Sequence, residues 1–247
     1  MSKLFKQLSV LSALIIFCFS MTWGATIDDF GTPFPPNPDL PASGRAIIFV
    51  GTTCDGSACP PGEFVSHLVE DSAYQTGLGG VVGGERNAVI SYVTGTANAG
   101  IWAEGNSLSF NHNAGASAVL ELEYGLSADL DANFTVIGAT MFHVNVISGD
   151  MYAGPRPVPC TITVISGRGT ANETTASQTV ELVEEVTYQF PFSGFAGVDF
   201  SDLDYIKYTF DASSVTSVDF SIGPLTTDGE DVNAEQSSWG AVKQLYR

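Results

Sequence analysis

Three oxygen-bearing side chains alternate along one short segment, Asp129-Leu-Asp131-Ala-Asn133. This D-x-D-x-N spacing is typical of loops whose carboxylate and amide oxygens converge on a hard cation, so it predicts calcium ligands at Asp129, Asp131 and Asn133. An EF-hand would need glycine at the sixth place and glutamate at the twelfth, where Phe134 and Thr140 stand. The alternative is a turn in which these side chains bond their own backbone.

A second acidic run, Asp199-Phe-Ser-Asp202-Leu-Asp204, also offers carboxylates to a metal. Its alternative interpretation is a short turn capped by Asp202 ahead of a strand. Asp28 and Asp29, on a possible edge strand near the amino terminus, would meet a late acid such as Asp219 only if the two ends of the chain are adjacent.

Two glutamates on one strand face, Glu121 and Glu123, have the residue types of a glycosidase acid and nucleophile. Side chains at i and i+2 of a strand lie roughly 7 Å apart, between the retaining and inverting separations. A solvated strand face is the better interpretation of this glutamate pair.

The histidines of the chain lie in no recognisable nucleophile or zinc-protease motif; they are His67, His112 and His143. The sequence therefore predicts no catalytic residues.

Exposed aromatic rings can serve as stacking platforms for sugars, with polar groups that fix the hydroxyls. Trp102 is the strongest candidate, because it stands between Gly100 and Glu104 outside a clear core run. Tyr152 and Tyr74 are further candidate ligand-binding residues. Core or rim positions are the alternative for all three.

The amino terminus has the composition of a secretory signal peptide. Lys3 and Lys6 precede an apolar run, Leu8–Trp23, and two small residues, Thr22 and Gly24, take the −3 and −1 places of a cleavage site before Ala25. The run is short for a membrane span, which needs roughly 20 apolar residues. We therefore expect residues 1–24 to be removed and the remaining chain to be secreted or held at the cell surface, with no membrane anchor.

The chain is strongly acidic. Its formal net charge is −18, and removing residues 1–24 leaves 27 acids against 9 minus 2, or 7, bases, a charge of −20. The electrostatic field of such a negative charge repels nucleic acids and anionic membrane surfaces and attracts cations. The simplest interpretation of this acidity is a solvated surface, and the sharper one is dependence on extracellular calcium.

Three cysteines follow the predicted cleavage site. Cys54 and Cys59 flank an Asp-Gly turn, and export to an oxidising compartment predicts a disulfide between them. Cys160 is left over and precedes a strand pattern, so a buried thiol is expected and pairing with another chain is the alternative.

Alternation of apolar and polar residues indicates half-buried antiparallel strands. The pattern recurs at Val119–Tyr124, Met141–Ser148, Val186–Phe192, Tyr205–Asp211 and Ser217–Ile222, with shorter runs at Phe134–Ile137 and Thr161–Ile165. No sustained helical period appears, so the predicted fold is an all-β antiparallel β-sandwich of jelly-roll type. The predicted parts are the signal peptide at 1–24, a proline-rich segment at 25–44, the β-sandwich at 45–225 and an acidic tail at 226–247.

Several short motifs lie at intervals along this predicted domain: Asp28-Asp29-Phe30, the glycine-rich run Gly79–Arg86, Phe192–Phe195 and Val198–Ile206. On these motifs the chain resembles a group of exported bacterial jelly-roll proteins, many of which carry a PEP-CTERM sorting tail. The resemblance spans roughly residues 27–225 and implies a surface or matrix location with no assigned chemistry. A Pro-Glu-Pro motif, an apolar terminal span and a basic end cluster are missing, so membrane sorting by that tail is not expected.

These observations favour an exported, non-catalytic protein with a structural or adhesive role at the cell surface or in the extracellular matrix. A carbohydrate-binding module, supported by calcium, is the alternative, and a polysaccharide-active enzyme is the second alternative. The expected partners are extracellular polysaccharide or another surface protein.

Overall fold

A computed structural model describes residues 24–35, 48–53, 65–68, 70–94, 98–112, 115–150 and 157–229. The predicted signal peptide up to residue 23, Cys54, Cys59, Tyr152 and the tail from residue 230 lie outside the described residues. Their roles stay predictions.

The described residues form strands joined by turns and two short 3-10 segments, Val82–Gly84 and Phe192–Gly194. In these ranges no helix is long and apolar enough to cross a bilayer. The strands are β1 (Thr26–Asp28), β2 (Ile48–Thr53), β3 (Val65–Leu68), β4 (Glu70–Thr76), β5 (Glu85–Thr94), β6 (Asn98–Glu104), β7 (Ser107–His112), β8 (Ser117–Tyr124), β9 (Met141–Gly149), β10 (Val158–Ser166), β11 (Thr174–Leu182), β12 (Thr187–Pro191), β13 (Leu203–Asp211), β14 (Asp219–Ile222) and β15 (Leu225–Thr227).

The strands make two antiparallel sheets. One is nine-stranded in the order β1-β15-β9-β14-β7-β6-β2-β3, with β12 on the free side of β9, and the other is six-stranded in the order β11-β10-β13-β8-β5-β4. Hairpins such as β4–β5 and β6–β7 stay within a sheet, whereas many other connections change sheet, for example those between β5 and β6, β7 and β8, and β9 and β10. The prediction of an all-β antiparallel sandwich of jelly-roll type is confirmed.

Period-two alternation builds the core between the sheets. In β8, Leu120, Leu122 and Tyr124 are fully buried, whereas Glu121 and Glu123 between them lie on the outer face. The same alternation recurs in β7, β9, β10 and β13. Because successive side chains of a strand point to opposite faces, one apolar stripe per strand is enough to close the sandwich.

Cys160 lies in β10 with no solvent exposure, and its thiol is free. Burial raises the pKa of this thiol far above its usual value, so it stays protonated and unreactive. This placement matches the expected buried thiol and disfavours a link to another chain.

One predicted strand is wrong. Phe134–Ile137 forms a turn, because Asn133 Oδ1 accepts hydrogen bonds from Thr135 Oγ1 at 2.8 Å and from the Val136 amide at 3.1 Å. A side chain that bonds the backbone just ahead of it favours a turn over an extended strand.

The first strand is held between the carboxyl-terminal strand and the glycine-rich run. β1 pairs with β15, and the Asp29 amide donates to the Gly80 carbonyl at 3.0 Å. A Cβ at Gly80 would lie 1.9 Å from Asp29 Oδ2, so any larger residue there would displace the Asp29 carboxylate. The two ends of the described chain are therefore adjacent, and Thr226 and Thr227, predicted to begin the tail, belong to the nine-stranded sheet.

Candidate functional site

Trp102 lies on the outer face of the nine-stranded sheet. Its neighbours in β6, Ile101 and Ala103, are buried in the core, and the indole itself is half-buried. The register places Trp102 opposite Ser109 of β7, and Ser109 opposite Ser221 of β14. The two serine Oγ atoms are 2.7 Å apart. One aromatic ring and a hydroxyl pair therefore share a row that crosses three strands.

A second polar row runs beside the first. Asn111 of β7 lies opposite Asp219 of β14. Asn111 is two residues from Ser109 along β7, and Asp219 is two residues from Ser221 along β14, so the two rows lie on the same face of the sheet. Asp219 Oδ1 accepts the His112 amide at 2.8 Å, and the Asp219 amide donates to Asp150 Oδ1 at 2.9 Å. Burial raises the pKa of the Asp219 carboxyl, and the nearby Asp150 carboxylate adds to that rise. We call Trp102, Ser109, Asn111, Asp219 and Ser221 the Trp102 face.

The far side of this surface is formed by β9 and β12. Ile147 is exposed on β9, beside Gly223, whose added Cβ would lie 3.6 Å from Ile147 Cγ2 and 3.3 Å from Asn145 Nδ2. Thr187 Oγ1 donates to Asn145 Oδ1 at 3.2 Å. The Val146 amide donates to the carbonyl of exposed Val186 at 3.0 Å. From β6 through β7 and β14 to β9 is three strand spacings, about 14 Å.

This surface combines an apolar ring with hydrogen-bonding groups. An indole offers an apolar body for ring stacking, and serine hydroxyls and an asparagine amide can donate and accept hydrogen bonds. A small set of polar groups beside an aromatic ring is the composition of many ligand sites.

Tyr74 does not join this site. It lies on β4 of the six-stranded sheet, 46% exposed, and its hydroxyl donates to Glu85 Oε2 at 2.5 Å. Ser127 donates to the same carboxylate through its hydroxyl and through its amide, the latter at 2.9 Å. Although burial acts in the opposite direction, hydrogen bonds from Ser127 and Tyr74 hold the pKa of Glu85 below its usual value. Tyr74 thus helps to anchor a turn, on a different sheet from Trp102.

The predicted calcium ligands are separated. Asp129 Oδ1 pairs with Arg168 Nε at 2.7 Å, and Asn133 caps the turn described above. Of the three, Asp131 alone joins a cluster of acids: one oxygen each of Asp131, Asp202 and Asp204 lie within 4.8 Å of one another.

Backbone pairing brings these three acids together. The amides of Ala132 and Leu203 each donate to the other's carbonyl at 2.9 Å, which sets Asp131 beside Asp202 and Asp204. Asp204 is buried, and its Oδ2 accepts the Arg168 amide at 2.6 Å. Burial raises the pKa of Asp204, and the neighbouring acids add to the rise. Calcium binding stays a prediction from the sequence.

Glu121 and Glu123 are tied into the outer face of the six-stranded sheet. Glu123 accepts the Tyr205 hydroxyl at 2.5 Å and the Asn87 amide group at 2.6 Å. Glu121 accepts Lys207 Nζ at 2.9 Å. These contacts use the carboxylates for cross-strand pairing, on the strand face that the sequence predicted to be solvated.

Comparison with known proteins finds similarity only among solved structures. No protein-family model and no curated protein matches the chain. A family 11 carbohydrate-binding module from Clostridium thermocellum, in complex with a β-1,3-1,4-mixed-linked tetrasaccharide, is 13% identical with a TM-score of 0.33, covering 74% of this chain and 97% of its own. A CBM4 carbohydrate-binding module is 10% identical with a TM-score of 0.34, covering 83% and 99%. A family 29 module with mannohexaose is 13% identical with a TM-score of 0.29, covering 78% and 96%. Identities and TM-scores this low transfer no ligand to this chain.

Proposed function

We propose that this protein is an exported, non-catalytic glycan-binding domain that binds sugar chains on the Trp102 face. The observation that carries the proposal is the register that aligns the half-buried Trp102 with the hydroxyl pair of Ser109 and Ser221 on one outer sheet face. A sugar ring presents apolar C–H groups to the indole while its hydroxyls exchange hydrogen bonds with the serines.

The shape of the surface favours an extended chain over a single sugar. The row from Trp102 through Ser109 and Ser221 to Ser148 of β9 crosses three strand spacings, about 14 Å. Polar groups occupy its middle and its far end, and exposed Ile147, next to Ser148 in β9, supplies an apolar contact there. Affinity therefore rises with the length of the oligosaccharide until the row is filled.

Binding without hydrolysis is supported by the positions of the two candidate catalytic carboxylates. Glu121 and Glu123 lie on the six-stranded sheet, and hydrogen bonds from Lys207, Tyr205 and Asn87 occupy their oxygens. Trp102 lies on the other sheet, so a chain bound there passes no closer to these acids than the opposite face of the sandwich.

The proposal places the domain outside the cytoplasm, where polysaccharides are exposed. Export is supported by the predicted signal peptide, because the first twenty-four positions combine a charged start, an apolar run and small residues. The net charge of −18 makes nucleic acids and anionic membranes unsuitable partners.

The test is titration calorimetry with neutral and amino-bearing oligosaccharides of several lengths. Trp102→Ala is expected to weaken binding at least about tenfold, or about 1.4 kcal/mol. Tyr74→Ala is the matched control, because it removes a half-exposed ring from the other sheet, and it leaves affinity unchanged. Circular dichroism establishes that both variants fold.

Failure to bind any sugar, or equal affinity of wild type and Trp102→Ala, overturns the proposal. The structural or adhesive role, with another surface protein as partner, is then the remaining function.

A further inference from the structure

Positive charge is distributed unequally between the two sheets. The described residues contain three lysines or arginines: Arg86 on β5, Lys207 on β13 and Arg168 between β10 and β11. All three belong to the six-stranded sheet or its turns. No strand described for the nine-stranded sheet contains lysine or arginine.

The three basic side chains are also already paired. Arg86 binds Asp28 at 3.0 Å, Arg168 binds Asp129 at 2.7 Å, and Lys207 binds Glu121 at 2.9 Å. Within the described part of the chain, none of them is available to offset negative charge on the opposite sheet.

Carboxylates lie on both sides of the row that contains Trp102. Glu104 is exposed on the same face of β6, two residues beyond Trp102. On the other side, Asp219 occupies the second row, and Asp150 accepts its amide. Glu185, near the far end, accepts the Gly149 amide at 3.2 Å. A ligand on this row therefore meets acids along its length.

This arrangement discriminates between sugars by charge. A uronate or sulfate group is repelled by Glu104 and Asp219, and the described strands of this sheet hold no lysine or arginine to pair with it. An ammonium group is attracted by the same carboxylates and can also lie over the Trp102 indole in a cation–π contact. The net charge of −18 adds a long-range field of the same sign.

We propose that the Trp102 face binds a polysaccharide whose sugars carry free amino groups, such as a β-linked glucosamine chain, and rejects anionic polysaccharides. This inference rests on the proposed function and names the class of glycan for the same site.

The first experiment compares three oligomers of matched length: glucosamine, N-acetylglucosamine and galacturonic acid. In slightly acidic buffer the first is cationic, the second neutral and the third anionic, with sugar rings of similar size. Calorimetry is expected to give at least about tenfold tighter binding of the glucosamine oligomer than of the acetylated one, and no measurable binding of the uronate. Added salt is expected to shrink the preference, because it screens exposed charges.

The second experiment separates the site from the overall charge. The double variant Glu104→Gln with Asp219→Asn removes two charges beside Trp102, and the side-chain amide oxygen that replaces the Asp219 carboxylate can still accept the His112 amide. Glu70→Gln with Glu181→Gln removes two exposed charges from strands of the six-stranded sheet. The first variant is expected to bind the glucosamine and the acetylated oligomer with equal affinity, and the second is expected to keep the preference for glucosamine.

Equal loss in the two double variants overturns the inference, because overall charge would then explain the attraction. Equal affinities for the glucosamine and acetylated oligomers, insensitive to salt, also overturn it and leave the proposed function standing. Binding to none of the oligomers is the failure of the proposed function itself.

Discussion

Arg86 Nη1 lies 3.0 Å from Oδ2 of Asp28, and both side chains are fully buried. The residues are 58 positions apart, with Asp28 in the nine-stranded sheet and Arg86 in the six-stranded one, so the pair joins the sheets across the interior. The Asp28 carboxylate also accepts the Tyr124 hydroxyl at 2.9 Å and the Phe30 amide at 2.8 Å. A buried charge persists only when it is paired and hydrogen-bonded in this way.

Breaking this pair is expected to destabilise the fold strongly. Asp28→Ala lowers the free energy of unfolding by about 3–5 kcal/mol, because it leaves the Arg86 charge buried and uncompensated. Denaturant unfolding measures the loss. Lys207→Ala is the control, since the Lys207–Glu121 pair is partly exposed and removing it costs below about 1 kcal/mol. Similar losses in the two variants would contradict the role given to the buried pair.

His112 is expected to make the protein less stable in acid. Its ring is 2% exposed and packs edge-on against Phe110 at 4.4 Å between ring centroids. Burial lowers the pKa of His112 from 6.5 to about 4, although the charge of Asp150 acts to raise it. The unfolded chain therefore binds this proton more tightly, and stability that is present above pH 6.5 is lost as the pH falls toward 4.

The measurement compares wild type with His112→Asn across that pH range. The wild type is expected to lose unfolding free energy relative to the variant as the solution is acidified. A difference that does not change with pH would show that His112 does not carry this dependence, whatever the contribution of the carboxyl groups.

The hydroxyl pair on the Trp102 face is expected to contribute modestly to glycan affinity. Ser221→Ala removes one hydrogen-bonding group and is expected to weaken binding about twofold to tenfold, from a net 0.5–1.5 kcal/mol per hydrogen bond. Ser177→Ala is the matched control, because Ser177 Oγ lies 2.8 Å from Thr163 Oγ1 in an equivalent pair on the six-stranded sheet. Calorimetry that found both variants equally weakened would argue against a sugar contact at Ser221.

The calcium prediction has a direct test in thermal unfolding. Calcium that binds only the folded chain raises the Tm, and EDTA reverses the rise. Asp202→Asn is the informative variant, because Asp202 is exposed and belongs to the three converging acids, so it is expected to reduce the rise. Asp71→Asn, on β4, is the control. An unchanged Tm in millimolar calcium would contradict the prediction.

Several strands could be predicted from the sequence because their signal is local. Met141–Ser148 and Tyr205–Asp211 alternate so regularly that β9 and β13 match them within two residues at each end. The alternation is weak in β11, Thr174–Leu182, where Ala176, Gln178 and Val180 are only half-buried, and the sequence did not indicate this strand. An edge strand with one neighbour needs no strong apolar stripe, so its pattern is faint.

The candidate site was likewise only partly predictable from the sequence. Residue type and local context were enough to single out Trp102, whereas its serine partners come from strands that only the register places beside it. Asp131 meets Asp202, and Asp28 meets Arg86, through pairings between distant segments. Periodicity reports which face of a strand is buried. Which strands become neighbours depends on how all the apolar faces pack at once, and that packing decided the contacts of this site.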